Sequence, residues 1–235
     1  MRNPTTGAQD RLYGLGAALS SDCWRWLAAA GTAKYFARGE VLVQQGQARS
    51  RVLVLLDGHV KITRIDVSGI ELLLSVRGPG EVLGDMAGVE SDPKPRSATA
   101  VALQLCRTRT LPAADFVAGI ERFKMSRALV GHWADRYREG EQVRAENSLP
   151  SVQRISALLC RLAASIGSVA GEDLIIDVGL SQEDLRLAVQ LSPSTFGAGI
   201  KTLRDLGLLS TARGRLAVHG LERLRHLADT GSAPG

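Results

Sequence analysis

The sequence has few cysteines and no long apolar run. Its three cysteines, Cys23, Cys106 and Cys160, are scattered and odd in number, which argues against a disulfide framework, and none is spaced for zinc. No apolar run approaches the roughly 20 residues of a membrane-spanning helix. Residues 1–10 lack the apolar core of a secretory signal. We therefore expect a cytoplasmic protein without a metal site and without a membrane partner.

Enzyme motifs are also missing from the sequence. It contains no HExxH motif, no glycine-rich phosphate loop in context and no Ser-His-Asp set, and its four histidines are dispersed. The 235 residues suffice for one large or two ordinary domains. A net charge of +5 permits nucleic-acid binding without requiring it. We expect a protein that is not an enzyme.

The C-terminal third predicts two short helices joined by a tight turn. Ser181 and Asp184 form a capping-box pattern at the start of the first helix, and Ser192-Pro193 is a typical start for the second. The second helix carries four apolar residues on one face: Phe196, Ile200, Leu203 and Leu206. This spacing is typical of a helix-turn-helix, although any helical hairpin would share it.

A short hairpin is predicted directly after these helices. Residues 208–210 and 216–218 are extended runs on either side of a turn with Gly214 at its tip, which is the pattern of a wing. Residues 201–225 carry six cationic and two acidic side chains, so the local net charge is +4. The cationic residues are Lys201, Arg204, Arg213, Arg215, Arg223 and Arg225. Such a surplus suits phosphate neutralisation, and an ordinary solvated surface is the alternative.

In the N-terminal half, the apolar residues recur with a different period. From about residue 35 to residue 111, short apolar or alternating runs recur at intervals of about ten residues, separated by glycine-containing turns. Six such runs predict an antiparallel sandwich or barrel.

One long polar helix is predicted from about residue 123 to residue 146. It is too long and too polar to be buried inside a small domain, so we expect it to pack along a second copy of itself. The expected seam residues are Leu129, Trp133, Tyr137 and Val143. A second stripe through residues 130, 134, 137, 141 and 144 leaves the register open.

In this order, the parts resemble the Crp/Fnr family, that of the cyclic-AMP receptor protein and the fumarate–nitrate regulators. The resemblance covers about residues 12–228 and implies an α+β fold. It implies an N-terminal antiparallel β-roll effector domain (12–122), cyclic-nucleotide-binding-like, a dimerisation helix (123–147) and a C-terminal winged helix-turn-helix DNA-binding domain (148–228). The implied function is that of a homodimeric transcription regulator that binds double-stranded DNA, with RNA polymerase as a further candidate partner.

The most specific part of the resemblance is residues 80–87 followed by residues 95–99, which are similar to the family's phosphate-binding cassette. The implied effector-binding residues are Gly84, Asp85, Met86, Ala87, Arg96 and Ser97, with Arg136 and Gly140 from the long helix. Arg96 suits a cyclic phosphate because a guanidinium gives directed, charge-assisted hydrogen bonds. A carboxylate at Asp85 suits a ribose 2′-hydroxyl. The candidate effector is a cyclic nucleotide, with cyclic AMP as one example.

Several residues depart from the family pattern. Asp85 is one methylene shorter than the family's usual Glu, and neither Glu139-Gly140 nor Gly140-Glu141 supplies the hydroxyls that contact the base in nucleotide-responsive members. One alignment of the long helix places Arg136 where the family has an Arg that pairs with the pocket Glu, and the other places Asp135 there. The alternatives are a regulator whose β-roll has lost its ligand, and a nucleotide-sensing module that acts through a protein partner.

Two other sensor types of the family fit the sequence less well. The iron–sulfur members need about four cysteines, most of them near the N-terminus, where only Cys23 lies. A haem member would need an axial histidine, and only His59 and His132 are placed to be considered. We expect neither cofactor.

The segment that matches the recognition helix is Pro193–Leu206. It lacks the Arg and Glu that read base edges in the best-known members, so we expect a different operator with more weight on DNA shape. The candidate DNA-binding residues are Gln182, Ser192, Ser194, Thr195, Ala198, Lys201, Arg204, Arg213 and Arg215. Gln190 replaces a small residue near the turn, which costs little if its φ is negative.

Overall fold

The computed structural model describes residues 12–87, 89, 94–212 and 215–232. The chain divides into two compact units. The first contains the described residues up to Gly69 together with Arg77–Tyr137, and the second contains Ile70–Val76 and the described residues from Arg138 onward. The fold is α+β.

Two short helices precede the strands of the first unit, α1 (Gly14–Ala18) and α2 (Ser21–Ala29). Ser20 begins α2 because its hydroxyl accepts a hydrogen bond from the backbone N–H of Cys23, which satisfies one of the unpaired donors at a helix start. Leu15 and Leu27 are buried in one hydrophobic cluster and hold α1 and α2 against it.

Eight strands follow in two antiparallel sheets, with the orders β1-β8-β3-β6 and β2-β7-β4-β5. Their bounds are β1 Thr32–Phe36, β2 Val41–Val43, β3 Arg51–Asp57, β4 Val60–Ile65, β5 Glu71–Arg77, β6 Val82–Leu83, β7 Thr99–Ala102 and β8 Cys106–Pro112. Residues from both sheets, among them Phe36, Leu55 and Ala100, form one buried cluster. The predicted antiparallel β domain is thus a β-roll.

Two helices follow the sheets, α3 (Ala113–Arg122) and the long α4 (Ser126–Glu146). Leu129 is buried in the core of the first unit beside Phe116, and Trp133 packs against the same core. Leu129 is thus buried within its own chain and Trp133 is partly buried there, while their place on a dimer seam stays a prediction. The apolar stripe through residues 129 and 133 faces the β-roll, while Val130 and Tyr137 on the neighbouring stripe are exposed.

The second unit has the order of a winged helix-turn-helix. Its elements are α5 Ser151–Ile166, β9 Ser168–Ala170, β10 Asp173–Ile176, α6 Gln182–Val189, α7 Pro193–Asp205, β11 Leu209–Ala212, β12 Arg215–His219 and α8 Leu221–Thr230. The strands form an antiparallel sheet of order β11-β12-β10-β9. Residues 168–170 pair with β10 as the short strand β9.

The helices α5 and α7 pack closely because Gly199 has no side chain. A Cβ at Gly199 would lie 2.5 Å from Cδ1 of the buried Ile155. Phe196, Ile200 and Leu203 are buried on the same side of α7, so its opposite face is held outward.

Candidate effector pocket and DNA-binding surface

A cavity of about 340 Å³ lies in the first unit. Of the predicted effector residues, Gly84, Asp85, Met86, Arg96, Ser97 and Arg136 line it. Ala87 is buried in the hydrophobic core instead, and Gly140 is an exposed residue of the second unit. The cavity is also lined by Arg49, Ile62 and Trp133, which sequence reasoning had not assigned to the pocket.

Gly84 is required at its position for two reasons. Its φ is +82°, a conformation that side chains other than glycine rarely adopt. A Cβ there would also lie 2.5 Å from Nη1 of Arg96. The cassette can therefore bring its backbone against the guanidinium only with glycine at this point.

Arg96 is the buried cation of the pocket, with only 8% of its surface exposed. Its Nη2 donates to the backbone carbonyl of Arg51 at 2.6 Å, and its backbone N–H donates to the carbonyl of Gln47 at 2.8 Å. Burial lowers the pKa of Arg96, and the positive charge of Arg49 lowers it further. Two guanidinium groups thus face one cavity, and an anion bound there would relieve their repulsion.

Asp85 is held by the helix α4. The indole Nε1 of Trp133 donates to its Oδ2 at 2.7 Å, and Nε2 of His132 lies 3.6 Å from the same oxygen. Burial lowers the pKa of His132, and the charge of Arg136 lowers it further. His132 is therefore favoured in its neutral form, and its Nε2 accepts from Nε of Arg136 at 3.3 Å, so the indole N–H is the donor to Oδ2 of Asp85.

Arg136 faces the β-roll, as one of the two predicted alignments requires, but its partner is a different carboxylate. Its Nη2 donates to Oε2 of Glu81 at 2.6 Å, and Nε of Arg77 lies 3.9 Å from Oε1 of Glu81. Glu81 is only 4% exposed. The expected pairing of Arg136 with residue 85 is thus replaced by an ion pair with a buried carboxylate four residues earlier in the cassette, and Asp135 is exposed.

In the second unit, capping groups set the starts of both short helices. Ser181 Oγ accepts from the N–H of Asp184 at 3.0 Å, and Asp184 Oδ2 accepts from the N–H of Ser181 at 2.9 Å. Ser192 Oγ accepts from the N–H of Thr195 at 3.2 Å. Gln190 ends α6 with φ +52° and ψ 45°, so the condition of a negative φ, under which we expected this residue to cost little, is not met.

The exposed side of α7 carries the predicted contact residues Ser194, Thr195, Ala198, Lys201 and Arg204. At its start, the hydroxyl of Ser192 lies 3.0 Å from that of Ser194 and 2.8 Å from that of Thr195. Lys201 Nζ forms an exposed ion pair with Asp205 at 3.1 Å. The helix therefore presents hydroxyls at its N-terminal end and cations further along.

The remaining predicted contacts flank this helix. Arg204 donates to the hydroxyl of Thr211 on β11, and Arg215 is exposed at the start of β12. Gln182 is exposed at the first residue of α6. Arg213 lies outside the described residues.

One hydrogen-bonded set in the wing sheet was not expected from the sequence. His219 Nδ1 lies 2.7 Å from Oδ1 of Asp173, and its Nε2 lies 2.9 Å from Oγ of Ser210. The three residues stand on the adjacent strands β10, β12 and β11. The set links these three strands and holds the wing against the rest of the sheet.

Neither a metal cluster nor a membrane span is found in the part of the chain that the structure describes. No three His, Cys, Asp or Glu side chains within it are grouped to hold a metal ion. No helix among these residues is both long and apolar enough to cross a membrane.

The matches to known proteins include residues of both units. Residues 33–123 match the family model of the cyclic nucleotide-binding domain. The chain is 26% identical over 195 residues to the CRP-like cAMP-activated global transcriptional regulator of Mycobacterium tuberculosis, which covers 82% of this chain and 86% of that protein. Most of the chain is thus similar to a CRP-like transcriptional regulator, and residues 33–123 are similar to a cyclic nucleotide-binding domain.

Solved structures of the Crp/Fnr family share the fold. FixK2 from Bradyrhizobium japonicum superimposes with a TM-score of 0.71 at 20% identity, covering 88% of this chain and 100% of that one. A CRP/FNR-family transcriptional regulator from Thermus thermophilus gives a TM-score of 0.64 at 21% identity, with 86% and 100% covered. At these identities, the structures establish the arrangement of the elements.

Proposed function

We propose that this chain is a homodimeric DNA-binding transcription regulator whose β-roll binds a small anionic effector, with a cyclic nucleotide as the candidate. The observation that carries the proposal is the outward face of α7, which is polar and cationic while its inner face is buried in a winged helix-turn-helix. A recognition helix in the major groove needs this division of faces.

The contacts along α7 support two kinds of DNA binding. The hydroxyls of Ser192, Ser194 and Thr195 lie at the helix start, where the helix dipole favours a phosphate oxygen. The cations at Lys201 and Arg204 suit phosphates further along. Bidentate contacts from arginine to guanine are not offered by the first turn, so binding rests more on the DNA backbone and its shape.

A dimer is supported by the exposed stripe of α4. Val130 is 60% exposed and Tyr137 is 69% exposed, and the two residues lie seven positions apart on the same helix face. The residues beside them, Leu129 and Trp133, are committed to the core of their own unit. A second copy of α4 is the occupant that would bury this stripe.

The effector part of the proposal rests on the pocket. A buried guanidinium at Arg96, a second one at Arg49 and the apolar Ile62 line one cavity, which suits a ligand with an anionic group and an apolar body. Nucleotide size fits a cavity of about 340 Å³. The corresponding test is calorimetry with cyclic AMP.

In this test, we expect the wild-type protein to bind cyclic AMP and Arg96→Ala to lose this binding. Arg96→Lys should bind more weakly than the wild type, since lysine keeps the charge without the paired donors. Circular dichroism controls for folding. Unchanged affinity of Arg96→Ala for cyclic AMP would reject the pocket. If the nucleotide binds but does not change the affinity for DNA, the protein is an effector-independent regulator.

DNA binding is tested by anisotropy titrations of a labelled duplex over a range of salt concentrations. We expect Lys201→Gln to weaken binding to all sequences alike and to reduce the salt slope by about one, as for a single phosphate contact. Arg25→Gln is the matched control, because Arg25 is also an exposed cation paired with a carboxylate, Asp22, at 2.8 Å. Equal losses in the two variants would contradict the assignment of α7.

A further inference from the structure

Three polar side chains on the wing sheet form one hydrogen-bonded line. Oδ1 of Asp173 lies 2.7 Å from Nδ1 of His219, and Nε2 of the same ring lies 2.9 Å from Oγ of Ser210. Asp173 and His219 are directly paired across β10 and β12, and Ser210 lies on β11, the other neighbour of β12. The sheet thus brings to His219 two residues that lie 9 and 46 positions away in the sequence.

The carboxylate of Asp173 fixes which ring nitrogen of His219 carries the proton. A carboxylate only accepts, so Nδ1 is the donor of the 2.7 Å hydrogen bond. In the neutral ring, Nε2 then has no proton and accepts from the hydroxyl of Ser210. The hydroxyl therefore donates to a base that a carboxylate orients, which is the arrangement that activates a serine nucleophile.

The hydroxyl of Ser210 is accessible from solvent. Leu209 and Val218 pair across β11 and β12, and both are buried. Because side chains alternate along a strand, the next residues, Ser210 and His219, lie on the opposite face of the sheet. Ser210 is exposed, and the side chain of His219 is 35% exposed. A small reagent can thus reach Oγ of Ser210.

The start of α7 provides an internal comparison. Ser194 is also exposed, and its Oγ lies 3.0 Å from the hydroxyl of Ser192. The neighbour in that contact is a hydroxyl instead of a basic nitrogen. Ser194 therefore reports the reactivity of an exposed serine of the same unit without a histidine partner.

We propose that Ser210 is a modification site, a nucleophile that takes an acyl group from a small activated acyl donor, an acyl phosphate or an activated ester. Oγ attacks the carbonyl carbon and forms an ester bond, while the bond from that carbon to the leaving oxygen breaks. The Oγ proton passes to Nε2 of His219 and from there to the leaving oxygen, so no oxidant or reductant takes part. Asp173 stabilises the imidazolium that forms in between. This reactivity goes beyond the proposed function and depends on neither the effector nor DNA.

The experiment is labelling of the full chain with p-nitrophenyl acetate. Peptide mass spectrometry over time gives the rate of acetylation at each residue. We expect Ser210 to be acetylated at least about 100-fold faster than Ser194, because general-base catalysis contributes about 10²–10⁴-fold.

Two variants separate a chemical role from a structural one. His219→Gln removes the base, and it should slow the acetylation of Ser210 by about 100-fold or more while leaving that of Ser194 unchanged. Asp173→Asn should slow it as well, since an amide can donate to Nδ1 and leave the ring proton on Nε2. Circular dichroism controls for folding. If the set only held the strands together, folded variants would keep the wild-type rate at Ser210.

The remaining outcomes would overturn the inference. A rate at Ser210 within about tenfold of that at Ser194 would show that the hydroxyl is not activated. An unchanged rate in folded His219→Gln would remove the base, and acetyl groups found on lysines alone would remove the site. None of these results affects the proposed regulator, since the set is part of neither the β-roll pocket nor α7.

Discussion

The ion pair between Glu81 and Arg136 allows the sharpest stability prediction. Removing Arg136 would leave a carboxylate that is 4% exposed without its 2.6 Å partner. Breaking a fully buried pair costs about 3–5 kcal/mol. The Arg136 side chain is 30% exposed, and Arg77 stays 3.9 Å from Glu81, so we expect about 2–3 kcal/mol for Arg136→Met. For a chain of this size, that is a Tm loss of about 4–12 °C.

The assay is a double-mutant cycle measured by urea denaturation. Arg136→Met with Glu81→Gln should regain part of the loss, because the buried charge is gone. Arg144→Met is the control, since Arg144 pairs with Glu141 at 2.6 Å on the exposed surface of the same helix and should cost about 0.5 kcal/mol or less. A loss of stability in Arg136→Met no larger than that in Arg144→Met would refute the reasoning.

Three further predictions follow from particular residues. Gln190→Gly should raise the free energy of unfolding by about 0.5–1 kcal/mol, because Gln190 has φ +52°; a loss measured by urea denaturation would contradict this. Burial lowers the pKa of His59 to about 4, against 6.5 in the unfolded chain, so the unfolded state binds the proton first and stability falls as the pH drops through that window. His59→Gln should flatten this pH dependence by at most about 3 kcal/mol, and an identical pH profile would refute it. Tyr137→Glu should shift sedimentation from dimer to monomer, and an unchanged sedimentation coefficient would refute the α4 seam.

Local chemistry made much of the fold predictable. Ser20, Ser181 and Ser192 each precede a helix and accept the expected backbone hydrogen bond. The period of the apolar residues separated the strands of the β-roll from the helices of the second unit. The order of these parts was sufficient to indicate the family.

The pocket contacts were less predictable because they depend on residues that are distant in sequence. Trp133 and Asp85 are 48 positions apart, and nothing in either segment indicates that an indole reaches that carboxylate. Glu81 was missed because a single acidic residue directly before a short strand gives no signal of burial. The two apolar stripes of α4 were equivalent by spacing, and only packing against the β-roll decided which one faces inward.

The left-handed backbone at Gln190 was also beyond sequence reasoning. Glycine would have indicated a positive φ, whereas glutamine indicates the opposite. The turn imposes the conformation because α6 and α7 are both fixed by buried residues, Leu185 and Phe196. Tertiary packing thus overrides the local preference.

Selection of duplexes from a random-sequence pool by the purified full chain tests the central claim most directly. A homodimer that reads DNA through α7 predicts enrichment of a two-fold symmetric site, with half-site centres about 34 Å apart, one turn of the duplex. The same selection with Lys201→Gln should recover the same sequence with lower yield, because a phosphate contact carries no sequence information. A pool that shows no enrichment over the input, or an enriched site without two-fold symmetry, would contradict the account.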